Sequence, residues 1–281
     1  MRTNHAPTTP ALSTVAALRR ANDLLGRIGS LEVRLARDSG EVAAAQELRH
    51  AVFFGGGDSA PGARDVDRFD DVCDHLLVVD QALPGRDRDR IVGTYRLLRQ
   101  DRSALAGGFY TSGEFELDRL VARHPDRSFL ELGRSCVLPA WRTKRTIELL
   151  WQGIWAYCRR HDIDVMTGCA SFPGTVPAAH AQALSYLHHN FRARGDWAAA
   201  ALPLRRTSMD LVPAEAVDMR TALAGMPPLI KGYLRVGAMI GDGCVVDHEF
   251  GSVDVLVILP VETIAGRYIA HYGPEAERFA A

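Results

Sequence analysis

The chain has 281 residues, 47% of them hydrophobic and 24% charged, an ordinary globular balance that excludes a disordered or fibrous protein. Thirty-three basic residues stand against thirty-four acidic ones, a formal charge of −1, so no global excess of positive charge points to nucleic acid. Five cysteines (Cys73, Cys136, Cys158, Cys169 and Cys244) form no CxxC motif and cannot all pair, which reads as a cytoplasmic chain.

No run approaches the roughly 20 apolar residues that span a bilayer, so membrane contact, if made, is peripheral on the inner membrane. The N-terminus lacks the charged start and apolar core of a secretory signal. Residues 1–11 are polar and proline-punctuated. Over residues 12–28, Leu12, Val15, Leu18 and Leu25 share the chain with Arg19, Arg20 and Arg27. That pattern predicts a short amphipathic helix, packed on the domain or laid on a membrane surface.

Residues 31–35 alternate as a strand, and residues 41–54 read as a helix. The segment 58–74 carries six aspartates against Arg64 and Arg68 and reads as an acidic loop. Strands at 75–80 and 91–98, joined by a turn-rich stretch, predict a hairpin. A third strand, 129–137, is halted by Pro139. The clearest helix follows: Ile147, Leu150, Trp151, Ile154, Trp155 and Cys158 fall on one helical stripe and read as core. Residues 163–170 read as a buried strand, 171–177 as a loop and 178–189 as a helix. Late strands at 202–212 and 253–259, with helical stretches near 214–224 and 261–272, complete the order. The whole predicts a mixed α/β sheet, with an N-terminal segment (1–30), a core (31–212) and a C-terminal extension (213–281) packed on it.

Chemistry concentrates between residues 129 and 160. Arg134, Arg142, Lys144, Arg145, Arg159 and Arg160 stand there against Glu131 and Glu148. Arg142, Lys144 and Arg145 fall where a strand gives way to a helix N-terminus, the positive end of the helix dipole. Cations there cost stability unless an anion binds. A phosphate or an acidic partner would supply that anion, and a solvated basic face is the plainer alternative. Glu131 and Arg134 point to opposite faces of a regular strand. A β-bulge near Gly133 would bring them together and open the strand edge. Cys136 on this alternating strand reads as core rather than nucleophile. His188 and His189, and the run Asp247, His248 and Glu249, lack metal-ligand spacing, so no metal is expected.

The strand 129–137, Pro139, Arg142 and the following helix resemble the acyl-donor motif of the GNAT acyltransferase superfamily. Arg145 and Ile147 stand where that motif has two small residues. Tyr186, Asn190 and Phe191 are similar to the family's Y-x-x-x-G-F, with asparagine in the glycine place. Arg49, Phe53, Asp67, Asp70, Arg96, Glu131 and Arg134 resemble the corresponding set of the acyl-homoserine-lactone synthases. The runs 142–157, 168–180 and 227–248 resemble the bacterial L-ornithine Nα-acyltransferases, a likeness that extends over residues 31–273.

This resemblance implies a GNAT-like fold and transfer of a 3-hydroxyacyl group from acyl carrier protein to the α-amine of ornithine. No cofactor of the chain's own is implied, because phosphopantetheine arrives on the carrier. Glu131 is the candidate base, with Arg134 beside it, and Tyr186 the candidate acid for the departing thiol. Arg49 or Arg96 would hold the acceptor's carboxylate, and Asp67 and Asp70 would orient its cationic side chain. Ser135 and Val137 would face the phosphopantetheine and the developing oxyanion, and Arg142, Lys144 and Arg145 would dock the acidic carrier. Each of these also has an ordinary structural reading as a surface charge or a core residue. Acylation of another amino acid such as glycine, acyl-homoserine-lactone synthesis, and a non-catalytic carrier-protein or membrane-binding module remain open, the last resting on residues 12–28 and 227–239.

Overall fold

The computed structural model describes residues 23–55, 60 and 62–264. Strand β1 (Leu24–Ile28) pairs antiparallel with β2 (Leu31–Leu35) across the turn at Gly29, whose φ is +63°. The end of the expected N-terminal helix is therefore a strand. Pairing with β2 satisfies its backbone and leaves Leu25 3% exposed. Residues 12–22, the rest of that expected helix, lie outside the described residues.

Helix α1 (Ser39–Phe53) starts where the Asp38 carboxylate accepts the Glu41 N–H. Glu41 in turn takes two bonds from the buried Arg34, at 2.6 and 2.7 Å. Strands β3 (Asp74–Asp80) and β4 (Ile91–Arg99) form the expected hairpin. A short helix α2 (Leu117–Arg123) precedes β5 (Phe129–Val137), whose bounds are those read from the sequence.

Helix α3 (Lys144–Arg160) is capped by Thr143 and packs on β1–β3. Its contact is close: a Cβ on Gly153 would lie 2.6 Å from Val33 Cγ2. The buried face runs through Leu149, Leu150, Gly153, Ile154, Tyr157 and Cys158. Ile147, expected in the core stripe, is 45% exposed, because the face is centred on Gly153 rather than on Trp151.

Strand β6 (Val165–Pro173) runs on into the expected loop, because it is paired along its length by β9 (Ser252–Pro260). After helix α4 (Ala181–Phe191), the expected strand 202–212 is reduced to β7 (Arg206–Thr207), where pairing with β8 (Met239–Asp247) is confined to two residues. Helices α5 (Met219–Gly225) and α6 (Pro228–Val236) precede β8, and α6 buries Ile230, Tyr233 and Leu234. The apolar face of 227–239 is thus spent inside the domain.

Among the described residues one nine-stranded sheet runs β1-β2-β3-β4-β5-β6-β9-β8-β7. All neighbours are antiparallel except β5 and β6. Residues after 212 supply β8 and β9 to this sheet, inserted between β6 and the edge strand β7. No helix among the described residues is long and apolar enough to cross a membrane.

Candidate active site

Strands β5 and β6 run parallel only from Phe129 opposite Val165 to Glu131 opposite Thr167. Beyond that both deviate. Arg96 of β4 faces Gly133 while Thr94 faces Cys136, so Arg134 and Ser135 bulge opposite Tyr95, with Arg134 at φ +52°. On β6, Gly168 takes φ +150°, and a Cβ there would sit 2.4 Å from the Leu132 carbonyl oxygen. Only glycine lets the two backbones come this close before they part. The parted strands wall a cavity of about 320 Å³.

Glu131 lies at the point of parting, lines this cavity and is 4% exposed. Its two oxygens accept the backbone N–H groups of Tyr110 (2.8 Å) and Thr111 (2.7 Å). Burial raises its carboxyl above the ordinary range, against those hydrogen bonds and the charge of Arg96. The Thr111 hydroxyl bonds it as well, and the two oxygens together still keep acceptor capacity to take a proton from a molecule in the cavity.

Next to it the arginines and aspartates pair with one another. Arg49, fully buried, donates to Asp65 Oδ2 at 2.8 Å and to both oxygens of Asp70 at 2.9 and 3.0 Å. Arg96 donates to Asp67 at 2.6 Å, and Arg134 to Asp65 at 3.1 Å and Asp67 at 3.3 Å. Burial alone would raise the Asp70 carboxyl, but the Asp67 N–H and the charges of Arg49 and Arg96 hold it below its usual value. Arg134 also lies over the rings of Phe250 (4.4 Å) and Tyr110 (4.9 Å).

The expected acceptor-binding residues therefore meet, but they separate into two roles. Arg96 and Arg134 line the cavity, whereas Arg49 and Asp70 sit behind it, bonded to each other. Ser135 lines the cavity, and Val137 has returned to the ladder opposite Gly93. Lys144 and Arg145 line a separate depression with Ser30, Asp80 and Trp141, and the adjacent Arg142 donates to the Val137 carbonyl at 3.0 Å. Tyr186 on α4 packs against Phe191, ring centroids 5.6 Å apart, and does not line the cavity.

Strands β8 and β9 add groups that the sequence reading did not single out as a site. Asp254, Asp247, Ser252 and Phe250 line the cavity from one side, and Cys169 and Ser171 come from β6. The Cys169 thiol donates to Glu114 at 3.3 Å, and burial pushes it well above its usual range, so it is no thiolate nucleophile. Burial likewise pushes the Cys136 thiol up to about 12. The available signal was Asp254 itself, an aspartate interrupting the apolar run 253–259.

Among the described residues two clusters bring metal-type ligand atoms within 4.8 Å of one another: Glu114, Cys169 and Asp254, and His188, His189 and Asp210. In the second, His189 Nε2 already faces the Val212 carbonyl at 3.0 Å and Arg192 stands 3.3 Å from His188 Nε2, a poor setting for a cation.

A family model described as an acetyltransferase (GNAT) domain matches residues 48–152. The chain is 59% identical over 266 residues to the L-ornithine N(alpha)-acyltransferase of Brucella abortus, covering 91% of this chain and 93% of that protein. To the proteins of the same name from Rhizobium meliloti and Rhodobacter capsulatus it is 54% and 41% identical. Those matches cover 97% and 88% of this chain, and 94% and 96% of the relatives. Among solved structures, an N-acyl amino acid synthase from uncultured soil microbes aligns over 83% of this chain and 91% of that one, with a TM-score of 0.48 at 9% identity.

Proposed function

This chain belongs to the L-ornithine N(alpha)-acyltransferase family and is an acyltransferase of mixed α/β, GNAT-type fold; on that premise we propose that it transfers a 3-hydroxyacyl group from acyl carrier protein to the α-amine of L-ornithine, giving lyso-ornithine lipid. The observation that carries this reading is Glu131, a buried carboxylate at the parting of two parallel strands, in the wall of a cavity with arginines on β4 and β5 and aspartates on β8 and β9.

In the proposed reaction the thioester enters between β5 and β6. The α-amine attacks the thioester carbonyl carbon, and Glu131 takes the proton the nitrogen must lose, directly or through water. The C–S bond then breaks, leaving the amide and a pantetheine thiol. Backbone N–H groups freed from the ladder at the Arg134–Ser135 bulge serve the oxyanion. Arg134 and Arg96 hold the acceptor's carboxylate. Tyr186 protonates the departing sulfur, a role that requires the pantetheine arm to run past α4. The exposed cations at the N-terminus of α3, with Lys144 side chain 87% exposed, receive the acidic carrier. Peripheral contact with the inner membrane would let the amphiphilic product leave.

The test is mass spectrometry of lipids from a host that lacks aminolipids, expressing this chain or its Glu131→Gln variant. A 3-hydroxyacyl-ornithine species that vanishes in the variant supports the reading. A different acylated amine overturns the acceptor, and no new amphiphile from folded protein with a supplied acyl-carrier pool overturns the reaction.

A further inference from the structure

Strand β9 reads Ser-Val-Asp-Val-Leu-Val-Ile-Leu-Pro, and every residue of it is buried. An ionisable group in the middle of such a strand is costly unless it is paired. Asp254 is 6% exposed and lines the cavity. Its carboxylate takes a hydrogen bond from the Ser252 hydroxyl at 2.8 Å and another from Ser171. Among the described residues it has no ion pair to match those of its neighbours: Arg205, whose charge acts on it, is committed to Glu114 at 3.2 Å and to the Gly113 carbonyl at 3.0 Å. Asp247, beside it, is satisfied by the N–H groups of Glu249 and Phe250. Glu114 and Cys169 bring further acceptor atoms to within 4.8 Å of the Asp254 carboxylate.

We propose that Asp254 receives the distal ammonium of the dibasic amino-acid acceptor, with the Ser171 and Ser252 hydroxyls and the Cys169 sulfur around it. The inference rests on the acylation of ornithine proposed above and names the group that selects its side chain. The order of the sheet supplies the layout. Arg96 and Arg134 approach from β4 and β5, Glu131 stands where β5 and β6 part, and Asp254 follows on β9, beyond β6. An amino acid whose carboxylate meets the arginines and whose α-nitrogen meets Glu131 extends its side chain toward β9. A trimethylene ammonium then neutralises a buried carboxylate that is left without an ion pair among the described residues. Burial and the repulsion of Asp247 raise the Asp254 carboxyl, and burial with the repulsion of Asp254 raises that of Glu114, as befits acids grouped without enough positive charge. The Asp67–Asp70 loop, by contrast, is already matched by Arg49, Arg96 and Arg134.

The experiment compares kcat and KM for ornithine and for norvaline, which is ornithine without its distal amine, in the wild-type chain and in Asp254→Asn. The expected result is a loss on the order of 100-fold in kcat/KM for ornithine, mostly in KM, with a much smaller change for norvaline, so that the ornithine-to-norvaline ratio collapses. Asp254→Glu, which lengthens the acid by one methylene, is expected to move preference toward 2,4-diaminobutyrate, whose side chain is one methylene shorter. An unchanged ornithine-to-norvaline ratio in Asp254→Asn overturns the assignment. If Asp254→Asn does not fold, an unshifted preference in Asp254→Glu overturns it instead. Loss of wild-type turnover on chelation, restored by a divalent cation, overturns it in favour of a metal at Glu114, Cys169 and Asp254. A wild-type chain that acylates no ornithine overturns the underlying reaction, which the variant ratios alone do not touch.

Discussion

Glu131 Oε1 accepts the Thr111 backbone N–H at 2.7 Å, so the carboxylate facing the cavity also clamps the loop that closes one side of it. On the role proposed for Glu131, catalysis and loop order are coupled through one side chain. Glu131→Gln keeps an oxygen for one of the two N–H groups but turns an amide NH₂ toward the other. Turnover is expected to fall by about 10²–10⁴-fold, with a lower melting temperature as well. Tyr186→Phe should cost less, about tenfold, and leave melting unchanged, because the ring packing on Phe191 survives. Steady-state kinetics beside thermal melts separate the two.

The raised carboxyl of Glu131 gives the proposed role a pH signature. As the proposed base Glu131 is active only when ionised, so kcat/KM is expected to rise with pH through a value above the ordinary carboxylate range and then level off. Stability moves the other way. A carboxyl whose folded pKa exceeds its unfolded one stabilises the fold below the unfolded value, and that contribution is lost as pH rises through the folded value. The wild-type minus Glu131→Gln difference in unfolding free energy should shrink across that window. A flat difference would sink the assignment of the shift.

His75 has the opposite sign. Burial lowers its pKa, and its Nε2 donates to the Asp70 carbonyl at 3.1 Å. Its contribution to stability is present above its unfolded value and is lost as pH falls through the folded one. His75→Gln should flatten the acid limb of a stability–pH curve, read by denaturant titration.

Arg49 and Asp70 form a buried pair behind the cavity. Removing either partner alone leaves a buried charge and should cost roughly 3–5 kcal/mol. The double variant Arg49→Met, Asp70→Leu should cost less than the sum of the two. Chemical denaturation of the three variants measures this coupling.

Charge reversal at Lys144 and Arg145 tests the carrier surface. Both are exposed, and Arg142 is left intact because it bonds the Val137 carbonyl. The double reversal to glutamate should raise KM for an acyl-carrier donor about tenfold at low salt and leave a small acyl-pantetheine donor unaffected. Equal effects on both donors would remove the carrier from this face.

Some of this was legible in the sequence and some was not, for physical reasons. Strand β5 was readable to the residue because Pro139 follows it and apolar pairs, Phe129-Leu130 and Cys136-Val137, stand at its two ends. The bulge was readable as a need, since Glu131 and Arg134 cannot share a face without one, although it falls one residue past Gly133. The acidic loop displayed its charge but not its partners: Arg49 is 16 residues from Asp65, and Arg134 is 67 from Asp67. Asp254 is the hardest case. Its role depends on lying across β6 from Glu131, and local periodicity carries no information about which strand becomes whose neighbour.

Strand β9 enters the sheet between β6 and β8, pairing Val165 with Pro260 and Ser171 with Asp254. A chain cut before Ser252 thus keeps Glu131, the bulge and the arginines, yet lacks one wall of the cavity and presents β6 as an open edge. Synthesis from the N-terminus makes that wall last, through one of the least local contacts in the fold. A nascent or truncated molecule therefore carries the Glu131 carboxylate and the arginines without the enclosure that β9 gives them.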